Sequence, residues 1–177
     1  MPVASDLSPN TDNLTLPTGF CKWKGPGDAD YRDLGEVLAF TFLLTATEQQ
    51  HFSKRQGSRF NDFNATQQLT AEVRLTLEEQ TSDNLVLALL GTKAVGPPIS
   101  IDIGTNSEIV GALRFIGTND VGPRSQVDMP SVKITPGAAL NLLSDGWGNM
   151  ELTGKVNGDP VTGSFGTLLH NITDEVT

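Results

Sequence analysis

The sequence predicts a mainly β fold, an antiparallel β-sandwich with one short flanking α-helix. Three observations carry this reading. Residues 67–78, QQLTAEVRLTLE, alternate polar and apolar without a miss, and a period of two over that length marks a strand with one dry and one wet face. The chain holds 18 Gly and 10 Pro, a turn-rich makeup. Short apolar runs recur between Gly, Pro and Asn turns beyond residue 99. At 177 residues the chain is long enough for one domain with a proper core.

Taken in order, residues 1–19 are polar and rich in Ser, Thr, Asn and Pro, and read as a flexible or partner-dependent arm. Residues 20–33, FCKWKGPGDADYRD, read as a structured loop. The expected division is therefore an N-terminal arm and loop over 1–32 and one domain over 33–177. A long strand is predicted over 36–47. Leu38, Phe40, Phe42, Leu44 and Ala46 share one face of it; Ala39, Thr41, Thr45 and Thr47 share the other, with Leu43 breaking the polar pattern. Residues 48–65 then read as a long polar link, far beyond a two-residue hairpin turn. Links of this size are commonly functional or disordered. This one carries His51, Phe52, Phe60 and Phe63, and its aromatics argue against disorder. It also holds Lys54, Arg55 and Arg59, the densest basic patch in the chain.

The second long strand, 66–78, puts Gln68, Thr70, Glu72, Arg74, Thr76 and Glu78 on one face and Leu69, Ala71, Val73, Leu75 and Leu77 on the other. The alternating stretch spans about 40 Å at ~3.3 Å per residue, long for a globular domain. A helix is predicted over 81–90: Thr81 or Ser82 caps it, Asp83 suits its positive end, and Gly91 ends it. Short strands follow near 99–103, 109–117 and 131–135, with others at 139–143, 150–156 and 166–170. In the stretch 150–156, Met150, Leu152 and Val156 oppose Glu151, Thr153 and Lys155.

Composition narrows function. The net charge is −9, which disfavours a surface that grips phosphates, since that needs clustered Lys and Arg. Cys21 is the only cysteine, so neither an internal disulfide nor a cysteine zinc site is expected. No apolar run reaches membrane-spanning length, and the start of the chain lacks the pattern of a signal peptide; the expectation is a reducing cytoplasm. His51 and His170 are far apart, and no metalloprotease, nucleophile-elbow or phosphate-loop motif occurs. No metal or cofactor is expected. Asp28, Asp30 and Asp33 lack the spacing of a calcium loop. Glu72 and Glu151 would serve an acid dyad only if the fold brought them together; keeping a strand face wet is the preferred reading. Trp147, flanked by glycines, fits a binding platform or a plug over the core, the plug being preferred. Trp23, between Lys22 and Lys24, fits either a sugar or partner contact or a pin for the arm.

The order of elements resembles a known family. Asp33-Leu34-Gly35-Glu36-Val37 opens a long strand, and a link with Glu48, His51-Phe52-Ser53 and Gly57 leads to the strand ending Leu75-Thr76-Leu77-Glu78-Glu79. The helix Asn84-Leu85-x-x-Ala88-Leu89-Leu90-Gly91 follows. Pro130-Ser131-Val132-Lys133-Ile134-Thr135-Pro136-Gly137 then precedes Asn141-Leu142-Leu143, Asp145-Gly146-Trp147-Gly148 and Leu152-Thr153-Gly154. Over roughly 33–158 this resembles the major tail tube protein of long-tailed, siphovirus-type bacteriophages. The resemblance implies a non-enzymatic β-sandwich forming stacked hexameric rings, a virion tube assembled in the host cytoplasm. DNA would pass through its lumen during ejection without sequence-specific contacts. The implied partners are further copies of the chain, a tape-measure protein, a tail terminator and tail-tip or baseplate proteins, with no membrane insertion. The resemblance implies lumen-facing roles for Thr41, Thr45, Gln68, Thr70, Glu72, Arg74, Thr76, Glu151, Thr153 and Lys155, and makes the 48–65 link an inter-ring loop. The alternatives are a related tube or tail-completion ring, including a secretion tube, or a carbohydrate-binding β-sandwich.

Overall fold

In the computed structural model, which describes residues 11–55, 57–135, 139–143 and 145–175, eight strands form one antiparallel sheet. In chain order these are β1 (Gly19–Lys24), β2 (Arg32–Asp33), β3 (Val37–Ser53) and β4 (Phe60–Leu77), then β7 (Ile109–Gly117), β8 (Ser125–Thr135), β9 (Met150–Val156) and β10 (Thr167–His170). Helix α1 (Ser82–Leu89) and a small separate pair, β5 (Thr92–Lys93) with β6 (Ile101–Asp102), lie between β4 and β7. The sheet runs β2-β1-β7-β8-β9-β4-β3, and β10 pairs with the first half of β8. This is the mainly β, antiparallel architecture expected, with its one short helix.

The sheet folds over on itself. Phe40 of edge strand β3 stacks on Phe115 of β7 with ring centroids 4.8 Å apart and planes 12° apart, although three strands separate them in the sheet. The core fills the fold: Cys21 and Trp23 from β1, Val73, Leu75 and Leu77 from β4, Leu113 from β7, Met129, Val132 and Ile134 from β8, and Met150, Leu152 and Val156 from β9. Alternate residues are buried over 71–77 of β4 and along β9, because a period of two turns every second side chain inward, whereas Leu69, on the same face, remains exposed.

Several expectations change, among them the strand expected near 131–135, which begins at Ser125. Residues 19–24 are a strand inside the sheet, not a loop, and Phe20 to Lys24 alternate with Cys21 and Trp23 inward. The expected arm over 1–19 is described only from residue 11, where a 3-10 turn (Thr11–Asn13) precedes β1; residues 1–10 lie outside the described residues. The 48–65 link is mostly strand rather than loop, because β3 continues to Ser53 and β4 starts at Phe60. At 139–143 the expected strand is reduced to one bridge, Leu140 with Met150.

Helix α1 begins as expected: the Thr81 hydroxyl accepts from the Asn84 N–H at 3.2 Å. It ends one residue before Gly91, on Leu90 in the left-handed region with φ 46°. Gly91 serves a different need. A Cβ there would meet the Ile101 side chain at 2.6 Å and the Asp102 carbonyl at 2.8 Å, so glycine lets β6 approach the helix end.

Asn84 ties the helix to the sheet. It is fully buried, its amide nitrogen donates to the carbonyls of Leu34 (2.8 Å) and Glu79 (3.0 Å), and Arg32 donates to its side-chain oxygen at 2.7 Å. Removing a buried partner leaves groups unsatisfied at ~1–3 kcal/mol each. Asn84→Ala is therefore expected to cost about 3 kcal/mol. At ~2–4 °C per kcal/mol that lowers the melting temperature by about 6–12 °C, measurable by circular dichroism.

Candidate assembly surface

Three features outside the core stand out: a wet sheet face, a projecting arm and an unpaired edge. The register builds the first. Leu43 pairs with Glu72 and Glu72 with Lys155; Thr41 pairs with Arg74 and Arg74 with Thr153; Thr45 pairs with Thr70, Thr47 with Gln68, and Thr76 with Glu151. Thr41, Thr45, Gln68, Thr70, Glu72, Arg74, Thr76, Glu151, Thr153 and Lys155 thus share one face of the adjacent strands β3, β4 and β9. Strand β8 adds Lys133 beside Lys155 and Thr135 beside Thr153. The sequence reading missed these two, although Val132 and Ile134 alternate with them. Charge on this face is nearly balanced and partly tied down: Arg74 holds Glu72 at 2.6 Å, and Lys133 pairs with Glu108.

The second feature is an arm. Strand β9 covers β4 only from Ala71 to Leu77; beyond that, β3 and β4 pair only with each other, out to Ser53 opposite Phe60. At ~3.3 Å per residue the two-stranded ribbon extends about 35 Å past the body. His51 faces Phe63 in the ladder and pairs with Asp62 at 2.6 Å. The Arg59 guanidinium lies over the Phe52 ring at 5.8 Å. Phe52, Phe60 and Phe63 are exposed, and Lys54 and Arg55 sit in the connecting loop.

The third feature is the outer edge of β3. Strand β3 ends the sheet order, so among the described residues no strand pairs with its far side. Residues 37–47, VLAFTFLLTAT, contain neither charge nor proline, the devices that usually protect an edge. Beside this edge lies an apolar groove of about 270 Å³ lined by Phe42, Leu44, Val127, Met129, Phe165, Gly166, Thr167 and Leu168. Phe42 and Leu44 come from the dry face of β3 yet remain exposed, whereas Phe40 is half-buried against Phe115.

No family model matches the chain, and no curated protein does. Among solved structures the chain is similar to a chain in the tail of an empty GTA particle obtained by helical refinement with C6 symmetry. The TM-score is 0.48 at 16% identity, over 80% of this chain and 92% of that one.

The catalytic constellations do not assemble. Glu151 lies four residues from Lys155, the partner of Glu72, on the neighbouring strand. That is about 14 Å at ~3.3 Å per residue, wider than the ~5–9.5 Å of glycosidase carboxylate pairs. No cluster of metal-binding side chains occurs among the described residues. His170 bonds the Ser125 hydroxyl at 3.0 Å. Burial pushes the Cys21 thiol up to about 12, with Asp33 adding to the shift, so the thiolate that would react is scarce. Trp23 is buried and cannot meet a sugar. Trp147 reverses its expectation: it is 86% exposed and plugs nothing. Asn141 and Asn149 flank it in the chain and bond each other, backbone to backbone at 3.0 Å and side chain to side chain at 2.7 Å. No helix among the described residues is long and apolar enough to cross a membrane.

Proposed function

We propose that the protein is a non-enzymatic structural subunit of a phage tail tube. Copies close laterally into hexameric rings, rings stack through the arms, and DNA passes along the bore. The free, uncharged edge of β3 beside its apolar groove carries this reading. Such an edge is a hazard for a lone subunit, and cyclic closure pairs it and covers the groove. The wet face then lines the bore. Glu72, Glu151 and Glu108 offset its Arg74, Lys155 and Lys133, so the face offers no basic stripe and passing phosphates are not captured. A tape-measure protein, a terminator and tail-tip proteins are the partners that this role requires.

Negative-stain imaging of the purified protein tests the reading. Rings or tubes with an open bore are the expected result. A species that stays monomeric at high concentration, with tail assembly partners added, would overturn it.

A further inference from the structure

The arm tip and the Trp147 turn occupy opposite ends of the same long strands. Met150, three residues past Trp147, is level with Leu77 and Val37, whereas the arm tip lies at Ser53 and Phe60. The two ends are about 55 Å apart at ~3.3 Å per residue. At the Trp147 end is a groove of about 320 Å³ lined by Glu78, Gln80, Asn141, Leu142, Trp147 and Gly148. Its apolar groups are unpartnered: Trp147 is 86% exposed, and the adjacent Leu143 is 97% exposed.

This end is acidic. The Glu78 N–H donates to the Glu36 carbonyl at 3.1 Å, which places both side chains here with Glu79, Asp145 and Glu151. None of these carboxylates is in an ion pair among the described residues. The arm tip is the reverse: Lys54, Arg55 and Arg59 beside exposed Phe52 and Phe60, its cations equally free of ion pairs among the described residues. In each case aromatic surface stands beside charge of one sign, and the signs are opposite.

From this we infer that the Trp147 groove is the receptor for the arm tip of a second copy of the chain. The inference rests on the tube reading and names the docking surface for the arm. An Arg of the tip stacks on the indole face, where cation–π contacts are strongest, and the carboxylates around the groove neutralise the other cations. The arm cannot reach its own groove across the length of the subunit. A contact between opposite ends of one molecule is head-to-tail, so it cannot close into a two-fold dimer, and where successive copies stack along an axis it repeats as a filament.

The test is a charge exchange in the full chain, read as tube length in micrographs and pelletable mass. Arg55→Glu with Arg59→Glu, or Glu78→Arg with Asp145→Arg, is expected to cut tube mass about tenfold or more, the size of a lost interface hot spot. Combining all four changes in one chain is expected to restore growth. Trp147→Ala is expected to shorten tubes while leaving the melting temperature unchanged, because that side chain packs on nothing in the subunit. Groove variants that grow like the parent, while loss of the arm stops growth, would overturn the groove as receptor and leave the tube reading intact. Failure of the combined variant to recover would overturn it as well. Parent protein that never assembles would overturn both. Binding of Trp147 to a glycan array, with unaltered tubes for Trp147→Ala, would assign the groove to a sugar and overturn the inference.

Discussion

Replacing residues 48–67 with Asn-Gly is expected to yield a folded subunit that makes rings and no tubes. Thr47 and Gln68 face each other in the ladder, and Asn-Gly closes a two-residue hairpin between facing residues. None of the described residues of the excised ribbon is buried, so no described core contact is lost. Surface changes of this kind cost within ~0.5 kcal/mol, and the melting temperature should move by no more than about 2 °C. Stacking, in contrast, loses Phe52, Phe60, Phe63 and every cation of the tip together. Electron micrographs report the outcome directly; tubes of parental length would refute the role of the arm.

Leu44→Asp is the matching blow to lateral closure. Leu44 is 54% exposed in the isolated subunit and lines the apolar groove beside the β3 edge. A carboxylate there meets water in the monomer and costs the fold little. On closure the parent would gain about 1–1.5 kcal/mol from covering the half of the leucine still exposed. The variant would instead have to desolvate an unpaired charge, a cost of several kcal/mol. A swing of about 4 kcal/mol is about a thousandfold in the affinity of each contact, and a ring has one such contact per subunit. Sedimentation velocity should therefore show monomer with an unchanged melting temperature. A variant that still sediments as a ring would exclude the groove from the interface.

What could be read from the sequence follows from which surfaces are half-buried. Residues 71–77 and 150–156 announced their register because a core lies under one face only, which forces alternation. The arm has water on both faces, so Glu48, Gln49, Gln50 and His51 on one strand and Asn61, Asp62, Phe63 and Asn64 on the other carry no period. Such a stretch looks like a loop until the hydrogen bonds are seen. Strand β1 did carry its signal in Phe20-Cys21-Lys22-Trp23-Lys24, but the following Gly-Pro-Gly made the whole segment read as a turn. The first half of β8 was hidden by Gln126, a buried polar residue at a core position, whose amide donates to Asp128 at 2.7 Å. The Trp147 groove could not be foreseen, because it joins the end of β4 to the turn before β9, brought together by the Leu77–Met150 pairing.

The slender root of the arm sets how a stack of these subunits would respond to force. Phe40 and Phe115 pin β3 to the body four residues before the ribbon leaves it at Leu44 and Ala71, and two hydrogen-bonded strands alone make up its free length. Two-stranded ribbons twist more readily than wide sheets. Curvature imposed on such a stack would therefore be absorbed in the ribbons as torsion, and the cores of successive rings would keep their shape. The tube would bend like a jointed hose rather than a rod.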